Sequence, residues 1–203
     1  MWKVPEPQAG LISAAVSGAP AAVADGHHRW ETSRNYLAER TEDPGADRIL
    51  ALVVELAPEQ LEVRPIHRLI GSIPAGMDFA AALAPWFDPV SEADREVVLV
   101  TPGAEMGLRA LPSTSAAAAH DADAERVQVA LDALGLQDLT YPHDAQTVRR
   151  EVEAGQAAAG LLLRPVTVEV ISAAARAGER FPPKTTFFWP KPLTGFVYRS
   201  LDS

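Results

Sequence analysis

The chain has 203 residues, 47% of them apolar and 22% charged, with no cysteine and a formal net charge of −9 from 18 basic and 27 acidic side chains. This composition supplies a hydrophobic core and excludes wholesale disorder, disulfides, thiolate catalysis and Cys-ligated metal centres. The acidic excess argues against duplex nucleic acid or an anionic membrane as a partner, and no apolar run approaches the roughly 20 residues of a membrane span.

The opening MWKVPEPQAG has no basic stretch followed by an apolar one, so no secretory leader is expected and the cytosol is the default. Seventeen prolines cut the chain into short elements. Residues 9–17 read as a helix ended by Gly18 and Pro20, and 21–24 as a small strand broken by Asp25-Gly26. A helix is expected over 29–40 and a loop over 41–47. The apolar run ILALVVEL within 48–56 suits a buried strand, and 61–65 a second strand beside it in a hairpin.

Further along, a short helix is expected over 79–86 and a strand over 96–101, which 106–112 pairs across the glycines of PGAEMG. Residues 121–134 carry apolar side chains at helical spacing, with Gly135 as the stop. Residues 139–141 read as a strand, and Asp144 as the N-cap of a helix over 146–154. A strand over 160–164 and a helix over 168–177, stopped by Gly178, come next. The tail reads as strands near 185–189 and 195–199. Strands and helices interleave, so the expected fold is α+β: a mixed sheet with flanking helices, in a single domain over 1–203. If the chain divides, the small-residue stretch 113–120 is the expected place.

The segment ADGHHRWETS, Ala24 to Ser33, is the most informative one. A strand-to-helix turn at Asp25-Gly26 leads His27, His28 and Arg29 into the first turn of a helix, whose N–H groups carry partial positive charge. Gly26 lets the backbone approach an anion closely, Arg29 can fork two oxygens and an imidazole can donate a further bond. Together these suit a phosphate. Asp25 has three readings: a cap, a magnesium ligand, or an orienter of a histidine. The plain alternative is a capped helix start with two surface histidines. Adjacent histidines diverge on a helix, so His27 and His28 are not expected to share a metal, and no metal site is assigned.

His67-Arg68, after Pro65, offers a second imidazole and guanidinium; its plain alternative is a solvent-facing pair. In PPKTTFFWPKP, Lys184 or Lys191 is a candidate phosphate contact, and two of the aromatics Phe187, Phe188 and Trp189 are expected in the core. His120 and His143 read as surface residues. There is no G-x-x-x-x-G-K-[ST] loop, no G-x-S-x-G and no HExxH.

VADGHHRWETSRNYL resembles the signature of the family called domain of unknown function 1015, which typically reads ADGHHRYETA. RPIHRLIG (64–71), YPHDAQTVRREVEAGQAAAGLLLRPVTVEVI (141–171) and RFPPKTTFFWPKPLTGFV (180–197) resemble its later blocks in the same order. Members are usually longer, with a substantial region before the first block. The resemblance therefore implies the C-terminal portion of that architecture or a shortened form.

The first block is also similar to a turn of the ParB/sulfiredoxin-like superfamily, which includes free-serine kinases, where it binds nucleotide phosphates. That likeness implies ATP or ADP, with magnesium, as the cofactor. It implies cofactor contacts at Gly26, His27 and Arg29, and catalytic roles for Asp25 as base or magnesium ligand, His28 in neutralising charge, and Glu31; His67, Arg68 and Lys184 are further candidate cofactor contacts on their own chemistry. The expected partner is a nucleotide or phosphorylated metabolite, and the expected activity phosphoryl transfer to a small hydroxylated metabolite such as serine. The alternative is a ligand-sensing or scaffold protein without turnover.

Overall fold

A computed structural model describes residues 4–18, 21–43, 45–193 and 195. The chain divides into two compact units, Met1–Ala51 with Thr194–Ser203, and Leu52–Leu193. The fold is α+β, with helices and two antiparallel sheets.

The first unit holds α1, Glu6–Ser17, and α2, His27–Glu39. Gly18 caps α1, its N–H reaching Ala14 and Val16 carbonyls. Neither helix buries a described residue. The strand expected at 21–24 is not formed; the segment joins no ladder.

The run 48–56 is a correction. It forms no strand, and Leu50, Leu52 and Val53 are exposed. An apolar run becomes a strand only where a neighbour takes its amides, and residues 61–65 take theirs elsewhere. Strand β1, Glu62–Arg64, pairs antiparallel with β8, Phe187–Trp189, over a hundred residues away, rather than in a local hairpin. The strand expected at 195–199 lies, apart from Gly195, outside the described residues.

The second unit is built on a six-stranded antiparallel sheet in the order β3-β5-β4-β7-β2-β6. Its strands are β2 (Arg68–Ile70), β3 (Phe87–Val90), β4 (Val97–Thr101), β5 (Ala104–Ala110), β6 (Leu139–Thr140) and β7 (Ala159–Leu163). The β4–β5 hairpin is the one expected from the sequence, turning at Pro102-Gly103. Strands β2 and β3 were not legible: each is three or four residues long, and β3 contains Pro89.

The helices are α3 (Phe79–Leu83), α4 (Pro112–Ala117), α5 (Asp123–Ala133), α6 (Ala145–Glu153) and α7 (Val168–Ala177). The stretch 113–120 thus holds most of α4, inside the second unit. Asp144 caps α6 as expected, accepting from Gln146 and Thr147 N–H groups. Gly178 ends α7 in the left-handed conformation.

Every residue of β7 is buried, and its two faces feed two cores. Ala159, Leu161 and Leu163 pack with Ile70, Leu99, Val127 and Leu131 on the α3 and α5 side. Leu162 joins Leu69, Val100, Val148 and Val152 on the α6 side. A smaller cluster of Ala122, Val166, Ile171 and Phe188 ties α7 to β8. Of the three consecutive aromatics only Phe188 is fully buried; Phe187 is half-buried and Trp189 exposed, where two were expected in the core.

One buried carboxylate fastens the end of β7 to α5. Asp123 accepts from Arg126 Nη1 at 3.0 Å, and from the Arg164 backbone N–H, Nε and Nη2 at 3.1, 2.9 and 2.8 Å. Arg126 also bonds Asp121.

The α6 helix lies directly on Gly160. A Cβ there would stand 2.2 Å from Val148 Cγ1. Gly160→Ala must push α6 off the sheet, and is expected to cost roughly 1–3 kcal/mol, the scale of core overpacking. Urea unfolding of the two proteins measures this, and an unchanged midpoint contradicts the packing described.

Candidate functional site

The 24–33 segment forms a glycine-opened helix start. Gly26 is the N-cap of α2 with φ 83°, a left-handed conformation that favours glycine. Among the described residues no side-chain cap bond closes the helix start, so Asp25 does not act as the cap that one reading of the sequence proposed. It holds Arg29 instead, Oδ2 accepting from Nη2 at 3.0 Å. The Arg29 guanidinium folds back over the turn, and a Cβ on Gly26 would meet its Nε and Nη2 at 2.8 Å.

His28 points to solvent, its Nδ1 3.6 Å from Glu31 Oε2. His27 is exposed at the first position of the helix. The first-turn amides of α2 lack intrahelical acceptors, and with Arg29 they place several donors around one glycine. Both partners of the Asp25–Arg29 pair are about half exposed, so the pair is worth at most about 1 kcal/mol.

His67, Arg68 and Lys184 belong to the second unit. The pair at 67–68 is not solvent-facing: His67 is 4% exposed and Arg68 1%. His67 Nδ1 accepts from the Leu163 N–H at 3.1 Å, which fixes the ring as a neutral tie between β7 and the lead into β2. Burial chiefly pushes its pKa down to about 4, with the charges of His143, Arg149 and Arg68 adding and Asp144 opposing. At neutral pH this imidazole contributes no charge.

Arg68 sits at the first position of β2, opposite Leu161 of β7, on the face that α5 covers. Its Nη1 donates to the Ile66 carbonyl at 2.8 Å, and its Cζ stands 5.1 Å from the centre of the Tyr141 ring. Its Nε is buried without a hydrogen-bond partner among the described residues. Burial lowers its pKa from the ordinary arginine value, the Tyr141 hydroxyl opposing. Among the described residues no carboxylate lies in ion-pair range of Arg68.

A cavity of about 220 Å³ opens beside this guanidinium. Arg68 from β2, Ala124 and Gln128 from α5, Tyr141 after β6 and the 182–185 turn line it. That turn presents Lys184 at φ 64°, its Nζ 5.7 Å from the Tyr141 ring. Thr185 donates to the Pro182 carbonyl and closes the turn.

Two of the residues named from sequence, Arg68 and Lys184, therefore come together in the second unit, and Asp25, Gly26, His27, His28, Arg29 and Glu31 form a local cluster of the first. Lys191 lies 4.9 Å from the Phe187 ring instead. Sequence reasoning missed Tyr141 and Gln128 as lining groups. Tyr141 stood inside a quoted block; Gln128 gave no signal beyond a place on a helix.

His120 corrects the surface reading. Its side chain is 6% exposed, with Nδ1 2.6 Å from Glu125 Oε1 and the ring 4.3 Å from that of Phe181. His143 is exposed, as expected, and stacks on Phe187 at 3.9 Å.

The fold is shared with solved structures of a free serine kinase. Its AMP complex superposes with a TM-score of 0.50 at 14% identity, covering 92% of this chain and 81% of that one. A point mutant of the same kinase, in complex with ADP, gives a TM-score of 0.51 at 14% identity with the same coverage. No curated protein matches the chain in sequence. The chain belongs to the family described as "Protein of unknown function (DUF1015)", whose model matches residues 1–134. Among the described residues no helix is long and apolar enough to cross a membrane.

The buried His67 gives the fold a pH dependence. The unfolded chain takes up a proton near pH 6.5 that the folded imidazole declines until about pH 4. Stability present above pH 6.5 is therefore lost as pH falls toward 4, and the part due to His67 is about 2 kcal/mol between pH 7 and 5. Urea unfolding at both pH values checks this: His67→Gln is expected to flatten the slope by that amount, and an equal slope in the two proteins contradicts it.

Proposed function

We propose that this chain binds an adenine nucleotide through its phosphates at the start of α2, and transfers a phosphoryl group to a small hydroxylated metabolite such as serine. The observation that carries the reading is the turn itself: a left-handed Gly26, uncapped first-turn amides, and the Arg29 guanidinium against the glycine. A dianionic phosphate competes well with Asp25 for Arg29, because the exposed ion pair it replaces is weak. The similarity of this turn to the phosphate-binding turn of ParB/sulfiredoxin-like proteins supports the reading. So do the family's presence and the fold shared with nucleotide-complexed free serine kinase structures. A cytosolic setting fits such a metabolite enzyme.

In the transfer, the metabolite hydroxyl oxygen forms a bond to the terminal phosphorus of the nucleotide. The bond from that phosphorus to the bridging oxygen breaks, and the shortened nucleotide leaves with the electron pair. The hydroxyl proton passes to a carboxylate, for which Asp25 is the candidate and Glu31 the second. His28 and Arg29 neutralise charge on the transferring group, the main contribution that a protein makes to this chemistry. Magnesium would arrive on the phosphates. Among the described residues no group of three or more His, Asp or Glu is arranged to hold a metal ion by itself, and magnesium binds through one or two carboxylates plus phosphate oxygens. Asp25 is the candidate carboxylate for it.

One observation favours the second reading, a ligand-sensing or scaffold protein without turnover. Asp25 is engaged with Arg29, and Glu31 faces His28, so neither carboxylate stands ready as a base.

Titration calorimetry with ADP, ATP and CTP, with and without magnesium, tests the binding. Arg29→Ala is expected to weaken nucleotide affinity by roughly 1.5–3 kcal/mol, about 10- to 150-fold, with little change in melting temperature. Absence of binding to all three nucleotides overturns the proposal. Binding without phosphorylation of serine selects the sensing role.

A further inference from the structure

We propose that the cavity between β2, α5 and the 182–185 turn is a second anion site, and that it takes the phosphate group of a compact ligand, free phosphate or a small phosphate monoester. The inference goes beyond the nucleotide reading and does not depend on it.

The first ground is Arg68. A guanidinium that is 1% exposed is costly to desolvate, and buried charges are normally paired. This one has a carbonyl on Nη1, the face of Tyr141, and a buried Nε with no hydrogen-bond partner among the described residues. Among the described residues no carboxylate compensates it. A guanidinium held this way keeps donors for an oxyanion that comes from outside.

The second ground is the lining. None of the described residues lining the cavity is acidic, although the chain has 27 acidic side chains and a net charge of −9. Among the described lining residues the other charged group is Lys184, whose ammonium shares the Tyr141 ring with Arg68. Two cations with no counter-charge in the wall match a dianion better than a single carboxylate. Arginine offers a fork and lysine a point charge, the two ways in which side chains bind phosphate. Gln128 adds an amide and Tyr141 a hydroxyl among the lining groups.

The third ground is size. A water molecule's share of liquid volume is about 30 Å³, so 220 Å³ replaces roughly seven waters. Pockets for drug-sized ligands start near 300 Å³. The cavity therefore has room for a phosphate with a few carbon atoms.

The test uses the whole chain and four probes: inorganic phosphate, glycerol phosphate, acetate and AMP. Binding is followed by calorimetry and by the Arg68 Nε–H resonance in ¹⁵N NMR. Phosphate and glycerol phosphate are expected to bind and to shift that resonance, and acetate to bind at least about tenfold more weakly. Read at the Arg68 resonance, Lys184→Ala, at an exposed position, is expected to weaken phosphate about tenfold or more, whereas Arg29→Ala leaves the titration of that resonance unchanged. Arg68→Gln is a further variant, but the conclusion does not need it to fold. The proposal is overturned if phosphate does not bind, if acetate binds equally well, if Lys184→Ala changes nothing, or if AMP alone moves the Arg68 signal. Loss of nucleotide affinity in Arg29→Ala with phosphate binding kept separates this site from the one at α2.

Discussion

Strand β7 must be covered on both faces, and most of the second unit follows from that requirement. Its five residues are all buried and offer no polar side chain to water. Antiparallel neighbours β4 and β2 take its backbone groups, α3 and α5 close one face, and α6 closes the other across Gly160. The ladder then sets the register of β2. Arg68 stands opposite Leu161 and on the same face, so it is carried into the interior under α5 whether or not its charge is compensated there. The cavity beside it is a consequence of how β7 is packed.

The two cationic clusters obey opposite rules. Arg29 lies in solvent, already engaged by a carboxylate four residues back, and water screens both. Changing its partner costs little, so such a group can exchange one anion for another. Arg68 lies in a poorly polarisable interior, where every interaction is stronger and rearrangement is costly. Its position is set by a strand, while that of Arg29 is set by the first turn of a helix. One cluster is adaptable and the other preformed.

Local patterns carried much of the fold. The β4–β5 hairpin, β7, the Asp144 cap of α6 and the whole of α7 follow from periodicity, turn residues and capping chemistry, all of which act over a few residues. The failures share a cause. The 48–56 run and the pairing of β1 with β8 depend on which strand stands alongside, and apolar content says nothing of that. His120 looked like a surface residue because Asp121 and Asp123 follow it in sequence, yet its neighbours in space are Glu125 and Phe181. The candidate site was legible in parts. The Gly26 turn is a local motif and could be read. The meeting of Arg68, Tyr141 and Lys184 requires β2, β6 and the 182–185 turn to converge, which spacing along the chain does not reveal.

The ends of the six-stranded sheet have a consequence for how the protein meets others of its kind. One outer strand, β3, carries Pro89, which has no amide hydrogen to give; the other, β6, is two residues long. A foreign strand needs a row of unsatisfied N–H and C=O groups to extend a sheet, and neither border supplies one of useful length. Growth by edge-on addition, the usual route from a β-rich fold to a fibre, is therefore blocked at both margins.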